Sequence, residues 1–204
     1  MRIDKLTSKL QSALADAQSM SLGGDNNFIE PSHLLLTLVD QKGGSVRPLL
    51  SQTGFDITDL RSKLQALVDD LPKLQNSTGE ISVSSDLAKL LNQADKISQQ
   101  KGDSFVSSET ILLVAMRDAG AVGKLLNSYG VSQQALENAI ANLRGGANVD
   151  DAGAEDSWQA LMEFTLATYG RLDGLVNNAG IGIIANIETT STAVWRQTMG
   201  VHLD

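Results

Sequence analysis

Between Ile3 and Arg144 apolar side chains recur every three or four residues, the spacing of one face of an α-helix. Ile3, Leu6, Leu10, Ala13, Leu14 and Ala17 form the first such stripe, with Lys5, Lys9 and Asp16 outside it, and predict a helix from the start of the chain. Glu30-Pro31 predicts the opening of a second, because proline at the first helical position gives up no hydrogen bond, and Gly43-Gly44 predicts its end. Ser45 is a candidate cap for a short third helix carrying Leu49 and Leu50, closed by Gly54. Asp56 then opens a fourth with Leu60, Leu64, Leu67, Val68 and Leu71, ending at Pro72. Residues 73–84 read as a polar loop.

After that loop the pattern returns. Ala17, Phe28, Ile29 and Leu34 are matched 77 positions later by Ala94, Phe105, Val106 and Ile111. One deletion later the offset is 76, and Val46, Leu49, Leu50, Gly54, Leu60 and Leu64 are matched by Val122, Leu125, Leu126, Gly130, Leu136 and Ile140. Coincidence at apolar and glycine positions predicts two copies of one helical unit. Each copy has too little core to stand alone, so the two are expected to pack face to face about a pseudo-twofold axis. The predicted fold class is all-α over residues 1–146, followed by a short, incomplete α/β fragment.

Composition adds a boundary and several exclusions. The formal charge of −8 is unevenly spread: residues 1–146 hold 14 Lys/Arg and 16 Asp/Glu, whereas residues 147–204 hold 2 and 8. All nine lysines lie in the first part and both tryptophans, Trp158 and Trp195, in the second. The acidic, glycine-containing run 147–156 is therefore expected to be a linker. A net acidic chain lacks the clustered cations of a nucleic-acid footprint, so no nucleic-acid partner is expected. With no cysteine there is no thiol nucleophile or zinc–thiolate site. Apolar runs such as Ile111–Met116 are far shorter than the ~20 residues that span a bilayer, and no charged-then-apolar leader opens the chain, so a cytoplasmic protein with no membrane partner is expected.

The paired stretches Phe28-Ile29-Glu30-Pro31-Ser32-His33-Leu34-Leu35 and Phe105-Val106-Ser107-Ser108-Glu109, with the Leu49-Leu50 and Leu125-Leu126 units, resemble the Clp N-terminal repeat domain. Met1-Arg2-Ile3-Asp4-Lys5-Leu6-Thr7, Arg144-Gly145-Gly146 and Asp150-Asp151-Ala152-Gly153-Ala154-Glu155-Asp156 narrow that resemblance to the disaggregase branch, over about three quarters of the chain. It implies a chaperone module that captures unfolded or aggregated polypeptide for an ATP-driven threading ring, with no catalytic residue and no cofactor. The resemblance also implies that Thr7, Asp103 and Glu109 take part in substrate handling, and that Leu87, Leu90 and Leu91 of the fifth helix line an apolar client groove. The residues themselves leave other roles open. The three leucines fit a core stripe equally well, Thr7 fits a solvated helix position, Asp103 a turn after Gly102, and Glu109 a first-turn partner of the helix dipole. A passive adaptor that engages Clp ATPase subunits is a further class.

Glu30 and His33 have the Glu-x-x-His spacing of carboxylate-bridged metal sites, but such a site needs a second copy, and the repeat has Ser107 and Thr110 there. A structural histidine and no metal are expected.

Beyond Asp156 the pattern changes. Ser157–Tyr169 reads as an amphipathic helix, and Gly174-Leu175-Val176-Asn177-Asn178-Ala179-Gly180-Ile181-Gly182 resembles the fourth strand and Asn-Asn-Ala-Gly motif of the short-chain dehydrogenase/reductase family, an NAD(P)-dependent Rossmann group. Trp195–Leu203 continues the likeness. It implies that Asn177, Asn178, Ala179 and Gly180 are the remnant of a cofactor-side motif. Gly180-Ile181-Gly182-Ile183-Ile184-Ala185 is discounted as a phosphate loop, since the acidic ribose partner expected ~20 residues later has no counterpart except the last residue, Asp204. The family's upstream glycine-rich loop is missing from this sequence. So is its Tyr-x-x-x-Lys: Tyr129 is followed at that spacing by Gln133 and Tyr169 by Asp173. Residues 157–204 are therefore expected to be catalytically dead, the alternative being a fragment of a working oxidoreductase. Titration with NADH and NADPH, followed through Trp158 and Trp195, should give no saturable quenching; micromolar saturation with turnover of an alcohol or ketone would restore the oxidoreductase reading.

Overall fold

A computed structural model of the chain describes residues 3–73 and 81–156. The dehydrogenase-like fragment 157–204, with Asn177, Asn178, Ala179 and Gly180, lies outside those residues. A 3-10 turn at Ile3–Lys5 leads into α1 (Ser8–Gly23), α2 (Pro31–Asp40), α3 (Val46–Gln52) and α4 (Ile57–Asp69). The second unit holds α5 (Ser85–Lys101), α6 (Ser108–Arg117), α7 (Ala121–Asn127) and α8 (Gln133–Arg144), and a last 3-10 turn spans Ala154–Asp156. Two short strands, β1 (Phe28–Ile29) and β2 (Ser82–Val83), pair in parallel. The all-α expectation holds.

The two units exchange backbone partners. Ile29 pairs with Val83, and Leu6 pairs with Val106; residues 83 and 106 are the 77-offset counterparts of residues 6 and 29. The same hydrogen bond is therefore made twice, Ser84 N–H to the Ile29 carbonyl and Thr7 N–H to the Val106 carbonyl, each 3.0 Å. Thr7 and Ser84 then cap α1 and α5 in the same way, accepting from the N–H of Leu10 and Leu87. Helix packing follows the same rule: α3 lies against α6 and α8, while α7 lies against α2 and α4. This is the pseudo-twofold arrangement that the repeat predicts.

The sequence-based start of the first helix, at Ile3, is five residues too early. Leu6 is extended and fully buried in its bridge to Val106, Thr7 takes the cap, and Ile3 is 63% exposed. Periodicity alone included them because an extended residue can fall on the stripe by chance. The loop 73–84 likewise contains β2, whose two residues are too short to show alternation.

At the centre lie α2 and α6. Eight consecutive residues of α2, Ser32–Val39, and nine of α6, Ser108–Met116, are buried, which is why Leu34-Leu35-Leu36 and Ile111–Met116 are apolar all round instead of striped. Burying each such leucine contributes roughly 1.5–3 kcal/mol relative to exposure. At the surface the units carry an equivalent ion pair with its signs reversed: Asp40 to Arg61 at 2.8 Å, and Arg117 to Glu137 at 2.7 Å.

The units differ where α7 meets the turn before it. A methyl group on Gly123 would lie 1.9 Å from the Asp118 carbonyl oxygen and 2.9 Å from that of Ala115, backbone atoms with little freedom to move. The equivalent position in the first unit is the exposed Arg47. Gly123→Ala should therefore destabilise the fold by about 1–3 kcal/mol, measured by urea unfolding, while Arg47→Ala should leave the midpoint nearly unchanged.

Candidate functional site

The chain leaves α8 through two glycines in the left-handed conformation, Gly145 and Gly146 (φ 56° and 85°), which turn it back across the second unit. Residues 147–156, expected to be a linker, are held there as a strap. Val149 is buried; its carbonyl accepts from the N–H groups of Ser104 and Phe105, both at 3.0 Å, and its own N–H donates to Asp103 Oδ1 at 3.0 Å. The Ala152 carbonyl accepts from Ser8 N–H at 2.7 Å, and Ser104 donates to Asp150. Composition could not show this, because the strap is held mainly by its backbone and by two buried side chains, Val149 and Glu155, six residues apart.

The second of those side chains is Glu155, 4% exposed. Its carboxyl accepts from the Thr7 hydroxyl and from Ser108 N–H at 2.8 Å, with the Ser45 hydroxyl at 3.5 Å. These groups stand at the starts of α1, α6 and α3, where unsatisfied N–H groups and helix dipoles favour negative charge. Ser45 makes no side-chain cap of α3, contrary to the sequence expectation, and faces Glu155 instead. Burial, reinforced by the Glu109 carboxylate, pushes Glu155 up to about 7 against the opposing pull of its hydrogen bonds to Ser108 and Thr7.

Beside it is a cation-centred group. Arg144 donates to Asp103 Oδ2 at 2.8 Å and to Ser107 Oγ at 2.8 Å, and stands 3.8 Å from Glu109. Asp103 follows the left-handed Gly102 and Glu109 lies in the first turn of α6, so both keep the local roles that their positions allow. Thr7, Asp103 and Glu109 are thus brought together, buried, under the strap or next to it. The counterpart of Asp103 in the first unit is Asn26, whose Oδ1 lies 3.0 Å from His33 Nε2. His33 Nδ1 accepts from Glu30 N–H at 3.0 Å, so both ring nitrogens are engaged by the protein, and burial holds the imidazole pKa below its usual range. Among the described residues no group of three or more His, Asp or Glu is placed to hold a metal ion.

Leu87, Leu90 and Leu91 do not line an open groove. They are 0%, 3% and 5% exposed and join the main core, on the face that α5 turns inward. An apolar surface that is open lies elsewhere. Phe28, 47% exposed, borders a cleft with Leu71 and Pro72, and Glu30 and Leu71 also belong to a neighbouring cleft with Leu67, Ala121 and Val122, rimmed by Asp86 and Asp118. Pattern reading missed Phe28 because its match to Phe105 marks the repeat and says nothing of exposure.

A sequence profile of the Clp repeat (R) N-terminal domain matches residues 5–129, and one of the short chain dehydrogenases matches residues 115–204. The chaperone protein ClpB of Pseudomonas putida is 58% identical over 181 residues, and that of Vibrio cholerae serotype O1 is 43% identical over 181 residues. Each match takes in 86% of this chain and 21% of the relative, so the chain spans about a fifth of the length of these relatives. Residues 1–156 are too few to make up 86% of 204, so the ClpB likeness runs beyond Asp156 into the stretch that also matches the dehydrogenases. Among solved structures, the Hsp104 N-terminal domain from Candida albicans covers 74% of this chain and 99% of its own at a TM-score of 0.66 and 21% identity. The N-domain of ClpV from Vibrio cholerae gives 71% and 88% at 0.61 and 21%. A complex of the ClpV N-domain with VipB peptide gives 71% and 90% at 0.58 and 23%. With its exchanged repeats, its fold and a profile matched over more than half its length, the chain belongs to the Clp repeat N-terminal domain family.

Proposed function

We propose that this chain binds unfolded or aggregated polypeptide without catalysing a reaction, as the N-terminal substrate-capture module of a ClpB-type disaggregase in the cytoplasm. The observation that carries the reading is Phe28, a large apolar side chain left half-exposed at a cleft with Asn26, Asn27, Glu30, Leu71 and Pro72, next to a second cleft where Leu67, Ala121 and Val122 meet Asp86 and Asp118. Such a surface binds apolar segments without demanding a sequence, which suits a chaperone's variety of clients. Support comes from the ClpB relatives and from the ClpV N-domain, a protein of this fold described in complex with a peptide. Of the described helices, none is long and apolar enough to cross a membrane.

A second reading has one observation in its favour, the dehydrogenase profile over residues 115–204. Its first thirty residues or so fall on α6 to α8, which here build the repeat core.

Capture can be measured with a carboxymethylated, permanently unfolded protein. Phe28→Asp should weaken binding about tenfold, the equivalent of about 1.4 kcal/mol, with little change in thermal midpoint. Leu91→Ser should instead cost about 2–5 kcal/mol of stability, through a core cavity and a buried hydroxyl. Undiminished binding by Phe28→Asp would remove the cleft from the proposal.

A further inference from the structure

The pseudo-twofold relation pairs the Glu155 pocket with a second place in the fold. Glu155 sits where α1, α3 and α6 begin, and its donors are the Thr7 and Ser45 hydroxyls and the N–H of Ser108. At the 77- and 76-residue offsets those three positions become Ser84, Ala121 and Pro31. Pro31 and Ala121 line the cleft at the starts of α2, α5 and α7, which Leu67, Leu71 and Val122 wall on its apolar side. One half of the molecule therefore shows such a pocket filled by a side chain, and the other half shows it as a cleft.

The two pockets call for opposite charges. Proline has no N–H, so Pro31 cannot repeat the bond from Ser108, and the methyl of Ala121 replaces the Ser45 hydroxyl. Ser84 keeps its hydroxyl, which caps α5. The N–H of Gly120, at the start of α7, is taken by Asp118 Oδ2 at 2.8 Å. Carboxylates stand round the cleft instead: Glu30, Asp86 and Asp118 line it, and no lysine or arginine does. Asp86 occupies the position that Lys9 holds on α1. Among the described residues, none of the three acids is in an ion pair. In the adjoining Phe28 cleft the side-chain oxygen of Asn27 is buried and accepts no hydrogen bond from a described residue. A side chain with a long apolar stem and a positively charged, donating end suits these surroundings, and a carboxylate does not.

We infer that the cleft between α2, α5 and α7 is a pocket for a lysine or arginine side chain of the captured polypeptide, so that the clients of this surface are segments in which a cation lies close to a large apolar residue. The inference rests on the capture reading and names the class of segment captured. The apolar residue lies against Phe28, Leu71 and Pro72, and the stem of the cation against Leu67, Ala121 and Val122. Glu30 and Leu71 belong to both clefts, which sets the two side chains next to each other. Attraction to the carboxylates is screened by salt, whereas apolar burial is not.

Fluorescein-labelled peptides test this by anisotropy with the full chain: a phenylalanine and leucine core flanked by lysines, the same core flanked by glutamates, and the lysines without the core. The lysine-flanked core should bind about tenfold more tightly than the glutamate-flanked one at low salt. That difference should shrink in about 1 M salt, and the lysines alone should not bind measurably. Asp86→Lys, at an exposed position, should weaken the lysine-flanked peptide about fivefold and strengthen the glutamate-flanked one. Asp16→Lys, an equal change of charge at an exposed position outside the cleft, should leave the preference as it is. Equal binding of the two cored peptides, undiminished binding without the core, or equal effects of Asp86→Lys and Asp16→Lys would overturn the inference. Phe28→Ser, which changes no charge, tells that failure from failure of the capture reading. If it weakens two cored peptides that bind equally, capture at Phe28 stands and the cation pocket falls; if it weakens neither, both fall.

Discussion

Each unit begins with a short extended segment that hydrogen-bonds across to the other unit, Thr7 N–H to the Val106 carbonyl and Ser84 N–H to that of Ile29, and the whole architecture rests on that exchange. Leu6 and Val83 lie against the other unit's Val106 and Ile29, so buried N–H and C=O groups at the start of α1 and α5 are satisfied only when both units are present. Burial of α2 and α6 follows, because that exchange brings the two most apolar helices into the middle with the short α3 and α7 wedged between units. Neither unit has a complete core without the other. Cooperative folding as one body is the expected result.

Much of this was readable from residues. The 77- and 76-residue offsets that align Phe28 with Phe105 and Gly54 with Gly130 come from packing and turn geometry that both units share, so they survive in the sequence. Glu30-Pro31 and Asp56 mark helix starts through local chemistry, and the structure places α2 and α4 one residue after Glu30 and Asp56. What did not show were the contacts that exist only once the chain has folded. Leu6 and Ile3 sit in one periodic stripe, yet the first is fully buried and the second exposed, because a tertiary strand pairing, not helix phase, decides between them.

The site shows the same division. Thr7 is far in sequence from Asp103 and Glu109 and close to them in space, and only the family resemblance brought the three together on paper. Their partners Glu155 and Arg144 were absent from that set: an acidic residue in a glycine-containing run reads as solvent-facing, and an arginine in a last helical turn reads as a dipole partner. The leucines of α5 carried the opposite ambiguity. A stripe of Leu87, Leu90 and Leu91 is what a helix shows to a core or to a groove, and the 5% or less exposure of all three places them in the core.

The docked strap also changes how far the domain can travel. An extended tether of ten residues reaches at most about 33–36 Å, and that reach disappears while residues 147–156 lie along the second unit. Whatever follows Asp156 is then moored against the domain, and the volume the domain can sweep collapses to what later residues permit. The docked strap therefore shortens the tether by the length that residues 147–156 would otherwise supply.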